Sequence, residues 1–182
     1  REFLFQNSCG PKGGEDDYAD DINSRSHMVN WLAGGSVYVP TIEGLKVPLE
    51  LSLAVHSDAG YAKDFNSLVG SLAIYTTNYN DGRLNSGVSR YASKDLASSV
   101  LNNLLKDIQQ KYGKWAKRHL WDRNYSETRI PEVPSAIIET MSHQNFPDML
   151  LGQDPNFKFT FARSLYKTLL KYVANQHRSE EH

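Results

Sequence analysis

The chain has 182 residues, which is the size of one domain with a buried core. Its formal net charge is −1 and 40% of its residues are hydrophobic. This composition is that of a globular protein and argues against a nucleic-acid partner. We also expect no membrane span, because no apolar run approaches about 20 residues. Cys9 is the only cysteine, which excludes a disulfide within the chain and a zinc site made of several cysteines.

The first half of the chain predicts a loop, a helix and two strands. Residues 1–20 are rich in glycine and acidic residues, which is typical of a loop-like segment. A short helix is predicted from Asp21 to Leu32, before two glycines. The segment Leu49–His56 alternates, with its leucines and Val55 on one face, and therefore predicts a strand. Gly70–Thr76 is the second predicted strand.

The second half predicts a helix, a strand and a final helix. Ser93 is expected to cap a long amphipathic helix that Gly113 ends. A polar and aromatic connection follows, and Pro134–Glu139 then predicts a short buried strand. The last helix is predicted over Phe157–Val173. Strands that alternate with helices indicate an α/β fold, a layered mixed sheet flanked by helices.

Two of the predicted strands end in a polar residue. His56 and Glu139 each follow an apolar run, and sites in open α/β sheets lie outside the carboxyl ends of the strands. Taken singly, a strand-end histidine is more often a structural hydrogen-bonding group, and the carboxylate could cap the next segment. Together they are candidates for one site, because a nearby metal would offset the cost of burying the carboxylate.

Several segments, in order along the chain, resemble the motifs of the zinc-dependent N-acetylmuramoyl-L-alanine amidases of the amidase 3 type. Leu51–Ala59 is similar to the family's "S-hydrophobic-H-A-N-A" strand, and Val133–Asn145 is similar to its "V-P-A-V-L-V-E-x-G-F-x-S-N" motif. The remaining similar segments are Arg25 with Asn30, Gly70–Tyr75, Ser89–Ile108 and the helix from Phe157. The resemblance implies the layered, hydrolase-like fold of zinc amidases, with residues 21–175 as the domain and residues 176–182 as a tail.

The resemblance also implies a function. His56 matches the second zinc-binding histidine of the family and Glu139 matches its catalytic glutamate, so the expected cofactor is zinc. The implied reaction is hydrolysis of an amide bond in cell-wall peptidoglycan, in the cell envelope or outside the cell. Zinc would acidify a bound water, and Glu139 would move its proton to the leaving amine.

The family's first zinc-binding strand, "H-G-G", and the helix after it have no counterpart in this chain. Catalytic zinc usually has three protein ligands. Three explanations stay open. The chain, which begins at Arg1, is a fragment whose missing N-terminal segment carries those ligands; or it is a metal-free binding module; or local residues substitute. The local candidates are Glu15, Asp16, Asp17, Asp21 and His143.

Three further residues are expected to contact substrate. Arg129 and Tyr125 lie in a long connection rich in groups that bind a sugar or a peptide carboxylate, and His143 follows Glu139 by four residues. Two alternative functions stay open. The first is a non-catalytic module that binds glycan or peptidoglycan on the same fold. The second is a polysaccharide lyase, since similar secreted proteins carry the name xanthan lyase.

Overall fold

The computed structural model describes residues 12–13 and 15–180, without the side chains of residues 179 and 180. Cys9, Arg1 and the end of the predicted tail lie outside the described residues. The chain divides into two compact units. The first comprises Arg1–Leu53, Tyr75–Lys94 and Asp122–Ala136, and the second comprises Ala54–Ile74, Asp95–Trp121 and Ile137–His182.

The described part of the chain contains five α-helices. They are α1 (Asp17–Ala33), α2 (Tyr91–Tyr112), α3 (Ser126–Arg129), α4 (Phe146–Gln153) and α5 (Pro155–Glu180), with one turn of 3-10 helix at Asn80–Gly82.

Local sequence explains where most of these helices begin and end. α1 begins four residues before the predicted start, because the side chain of Asp16 caps it by accepting a hydrogen bond from Ala19 N at 3.0 Å. Gly113 ends α2 as predicted, with φ of 79°. The expected cap of α2 is wrong: the Ser93 hydroxyl lies within the helix and accepts a hydrogen bond from Ser135 N at 3.0 Å.

Four strands form one sheet. They are β1 (Ser52–Asp58), β2 (Ser71–Tyr75), β3 (Lys117–Asp122) and β4 (Ser135–Ser142), in the order β1-β4-β2-β3.

The sheet is mixed. β2 pairs antiparallel with β4, with Leu72 opposite Glu139. β1 and β4 run in the same direction, because Ser52 N donates to Pro134 O near one end and His143 N donates to Asp58 O near the other. The predicted α/β fold with a mixed sheet and flanking helices is confirmed.

The strands differ from the predicted ones in two respects. β3 and the short α3 lie in a segment that the sequence predicted as an irregular connection. β3 is an edge strand and carries Lys117, Arg118 and Asp122, so it lacks the apolar alternation of a buried strand. β1 and β4 also continue beyond His56 and Glu139, so both residues lie within strands and not at their last positions.

Each unit has its own apolar core. In the first unit, Ala33, Val39 and Val133 are buried together. In the second unit, the inner faces of α2 and α5 are buried, and Phe157 of α5 contacts Tyr112 and Trp115 with ring centroids 5.2 and 5.1 Å apart. Aromatic contacts of this kind add packing energy beyond the area that they bury.

A buried carboxylate ties the second unit together. Asp148, in α4, is fully buried, and its two oxygens accept hydrogen bonds from Val69 N, Gly70 N and Ser142 N, each at 3.0 Å. Asn145 completes the link, since it caps α4 through Asp148 N and donates to Ser67 O. The loop before β2, the end of β4 and the start of α4 therefore share one set of hydrogen bonds.

We predict that Asp148→Ala destabilises the protein by about 3–5 kcal/mol, because three buried N–H groups lose a charged acceptor. Denaturant unfolding measures the change. Asp64→Ala is the matched control: Asp64 also accepts hydrogen bonds within a loop, from Asn66 N and the Ser67 hydroxyl, but it is exposed. An equal loss of stability in both variants would contradict the role assigned to Asp148.

Candidate active site

The side chains of His56 and Glu139 project from the same face of the sheet. Successive side chains of a strand point to opposite faces, so His56 shares a face with Ala54, and Glu139 shares one with Ile137. Ala54 and Ile137 belong to one apolar cluster. The two predicted site residues therefore lie on one side of two neighbouring strands, and both are half-buried.

This face is apolar on the β2 side of Glu139. Leu72, opposite Glu139, packs with Ile74 and with Trp121 of β3. Residues directly opposite each other in an antiparallel pair point to the same face, so Glu139 has apolar neighbours on one side. An apolar neighbour reduces the solvation of the carboxylate, which is the setting in which a proton-transfer group works well.

The backbone next to the two residues is fixed by side-chain hydrogen bonds. The hydroxyl of Thr140, which follows Glu139, donates to His56 O at 2.8 Å. The Ser71 hydroxyl donates to Thr140 O at 2.6 Å and accepts a hydrogen bond from Trp115 Nε1 at 2.9 Å. These contacts hold β1, β4 and β2 in register beside the candidate site.

His143 does not join His56 and Glu139. Its Nδ1 lies 3.2 Å from the Ser57 hydroxyl, and Ser57 points to the opposite face of β1 from His56. Both side chains are exposed. A spacing of four residues brings side chains together on a helix, but Glu139 lies in a strand that His143 follows.

The described residues contain no group of three or more His, Cys, Asp and Glu side chains that could hold a metal ion. The expectation that local residues complete a zinc site is therefore wrong for this part of the chain, for Glu15, Asp16, Asp17 and Asp21 as well as for His143. Asp16 caps α1, and Asp21 pairs with Arg25 at 3.1 Å. The donors present do not meet the three-ligand requirement of catalytic zinc.

A salt bridge lies at the end of β1, close to His56 in the sequence. Asp58 Oδ2 accepts a hydrogen bond from Arg118 Nη1 of β3 at 2.7 Å, and the two side chains are 24% and 18% exposed. Asp58 Oδ1 is buried without a hydrogen-bond partner. Sequence reasoning did not single out this pair, because its two members are 60 residues apart.

Tyr125 and Arg129 lie in the first unit, around α3. Arg129 donates to Asn124 Oδ1 at 2.7 Å, and its guanidinium lies 5.8 Å from the centre of the Tyr79 ring. Tyr125 precedes α3 and is half exposed. A second guanidinium, that of Arg90, lies 5.0 Å from the Tyr79 ring.

Arg90 is fully buried, and its Nη2 lies 3.7 Å from Glu132 Oε1. Burial lowers the pKa of Arg90, and the charge of Glu132 opposes that shift. Arg90 Nε also donates to Arg83 O at 3.0 Å. Arg90 is therefore a structural cation of the first unit, and Arg129 is the accessible one beside Tyr79.

The fold defines a class: an α/β protein with a mixed sheet, similar to solved structures of N-acetylmuramoyl-L-alanine amidases. One, from Clostridium difficile 630, has a TM-score of 0.60 and 15% identity over 94% of this chain and 81% of that chain. The CwlD amidase of Clostridioides difficile, solved in complex with the GerS lipoprotein, has a TM-score of 0.58 and 15% identity over 86% of this chain and 64% of that chain.

The amidase Ami1 of Mycobacterium smegmatis is similar as well, with a TM-score of 0.60 and 14% identity over 85% of this chain and 61% of that chain. At these identities the likeness shows the fold. No protein-family model matches the sequence, and no curated protein is similar enough in sequence to match it. Among the described helices, none combines the length and apolar character needed to cross a bilayer.

We predict that Arg118→Met destabilises the protein by about 1–3 kcal/mol, because it leaves the largely buried carboxylate of Asp58 without its cation. Lys167→Met is the matched control, since the Lys167–Asp107 pair is longer, at 3.9 Å, and its side chains are more exposed, at 45% and 29%. Its loss should cost less than about 1 kcal/mol. Urea unfolding of both variants gives the comparison, and equal losses would count against the proposed importance of the Asp58–Arg118 pair.

Proposed function

We propose that this chain carries part of the catalytic centre of a zinc-dependent hydrolase that cleaves an amide bond in cell-wall peptidoglycan. The observation that supports it most is the common sheet face of His56 and Glu139 on neighbouring strands of an amidase-like fold. Peptidoglycan lies in the cell envelope, so the proposed place of action is the envelope or the outside of the cell.

Glu139 is the proposed general base. It would take a proton from the attacking water and then deliver it to the nitrogen of the leaving amine, so one carboxylate serves both halves of the reaction. Its position supports this role, because the residue is half-buried, its Oε2 is buried, and Leu72 is an apolar neighbour on β2. Burial of this kind reduces the solvation of the carboxylate.

His56 is the proposed zinc ligand. The other donors must then lie outside the described residues, either elsewhere in this protein or on a further segment, since the described residues hold no three-donor group. His143, Tyr125 and Arg129 are proposed substrate contacts, because His143 and Tyr125 are exposed, Arg129 is half-buried, and each carries a group that binds hydroxyls or carboxylates.

A second candidate function is a non-catalytic module that binds glycan or peptidoglycan. The lack of a three-donor group in the described part of the chain favours it. In this alternative His56 and Glu139 would contact the ligand through hydrogen bonds.

We predict that Glu139→Gln retains zinc and lowers amide hydrolysis by about 10²–10⁴-fold, because the amide keeps the shape of the side chain but cannot accept the proton. We predict that His56→Ala loses both zinc and activity. The longest form of the protein should be used, with zinc content measured by elemental analysis and hydrolysis measured by the release of new amino groups from peptidoglycan.

His119→Ala is the matched control. His119 lies on the same sheet face, stacked on Trp121 with ring centroids 4.7 Å apart, and should change neither zinc content nor rate. Full activity of Glu139→Gln would exclude Glu139 as the base. If wild-type protein binds peptidoglycan but neither holds zinc nor releases amino groups, the binding-module function is correct instead.

A further inference from the structure

An aromatic pair is exposed on the two loops that follow β1 and β4. Phe65, in the loop between β1 and β2, is 81% exposed, and Phe146, at the start of α4, is 59% exposed. Their ring centroids lie 6.5 Å apart with planes inclined by only 20°. Leu150, one turn after Phe146 on α4, is also exposed and extends the apolar surface. We call Phe65 and Phe146 the aromatic platform.

The platform is held in place by hydrogen bonds below it. The Asp148 carboxylate fixes Val69 N and Gly70 N at the end of the Phe65 loop and Ser142 N just before the Phe146 segment. Asp64 organises the turn around Phe65 by accepting hydrogen bonds from Asn66 N and the Ser67 hydroxyl. Exposed apolar rings on an ordered support are typical of a binding surface.

The charge around the platform is balanced. Lys63 and Asp64 precede Phe65, and the hydrogen bond from the Ser67 hydroxyl lowers the pKa of Asp64, so the carboxylate is ionised at neutral pH and offsets the lysine. The other flanking side chains are the neutral, exposed amides of Asn66 and Gln144. The surroundings therefore offer hydrogen-bonding groups without a net field that would attract an anionic lipid surface or a polyanion.

The size of the platform also limits its partner. Two phenylalanine side chains bury at most about 300–500 Å² when covered, and Leu150 adds one further side chain. A stable protein interface needs about 800 Å² from each partner. A ligand the size of one or two sugar rings matches this area, since a pyranose ring has an apolar face for the aromatic rings and an edge of hydroxyls for the amides.

We infer that Phe65 and Phe146 form a subsite that stacks on an uncharged sugar ring of a glycan chain, on the loops that follow the strands carrying His56 and Glu139. This inference rests on the proposed function, because it takes the glycan strand of peptidoglycan as the source of that ring. It adds a recognition element for the glycan, whereas His56 and Glu139 act on the amide. The four residues lie on β1 and β4 or on the loops that follow them, within the second unit.

The test is the binding of a tetramer of N-acetylglucosamine, which contains the sugar rings but no peptide amide to cleave. Isothermal titration of the whole protein should show binding that Phe65→Ala and Phe146→Ala each weaken by about three- to tenfold, the range expected for one aromatic contact. Phe159→Ala is the matched control, because Phe159 is 67% exposed on α5 and lines a hollow with residues of α2 and α5 and with none from either loop. It should bind like the wild type.

Phe65→Trp keeps an aromatic surface and should retain binding, which separates ring stacking from a loss of folding. Unfolding midpoints of all four variants serve as the folding check, and Phe65→Ala is informative even if Phe146→Ala unfolds, since Phe65 lies at an exposed loop tip. Unchanged binding by Phe65→Ala and Phe146→Ala would overturn the inference. So would a wild type that does not bind the tetramer, or one that forms a dimer that Phe65→Ala dissociates.

These measurements separate a failure of the aromatic platform from a failure of the proposed hydrolase function. Amide hydrolysis with unchanged tetramer binding in the Phe65 and Phe146 variants would reject the platform and keep the hydrolase. Loss of tetramer binding in those variants, in a protein that never releases amino groups, would keep the platform on a binding module.

Discussion

The carboxylate of Asp148 accepts hydrogen bonds from three backbone N–H groups in two segments that lie far apart in the sequence: Val69 and Gly70 in one, and Ser142 in the other. A fully buried carboxylate is costly unless its lone pairs are satisfied, and three buried N–H groups are costly unless they are accepted. The same three hydrogen bonds remove both costs. The position of the loop after β1 and of the turn after β4 follows from this single side chain, and so does the placement of the groups on those segments.

The candidate site depends on a second set of hydrogen bonds. His56 and Glu139 belong to neighbouring strands, and the backbone around them is held by the Thr140 and Ser71 hydroxyls. The two side chains share a sheet face because the alternation of β1 and that of β4 are in register across the pair. A shift of one residue in either strand would place one of them on the opposite face. The chemistry of the site therefore depends on strand register as much as on residue type.

The described residues do not contain the three donors of a zinc site, and the two proposed functions differ in whether they need one. A hydrolase needs a way to activate water, and in the proposed zinc hydrolase His56 would supply one of the three protein ligands that catalytic zinc usually has. A binding module needs only shape and hydrogen bonds, which the His56–Glu139 face and the aromatic platform supply. Within the first unit, the guanidinium groups of Arg90 and Arg129 lie 5.0 and 5.8 Å from the centre of the Tyr79 ring.

The sequence by itself determined the α/β class, the apolar strands β2 and β4, the long helices α2 and α5 and the end of α2 at Gly113, because apolar periodicity and glycine conformation are local properties. It also singled out His56 and Glu139, through ordered motifs that resemble those of amidases. The tertiary structure alone decided that β3 is an edge strand, that His143 faces Ser57 and not His56, and that Asp58 pairs with Arg118. These features depend on which strands pair and in which register, and pairing between distant segments leaves no periodic signal in the residues concerned.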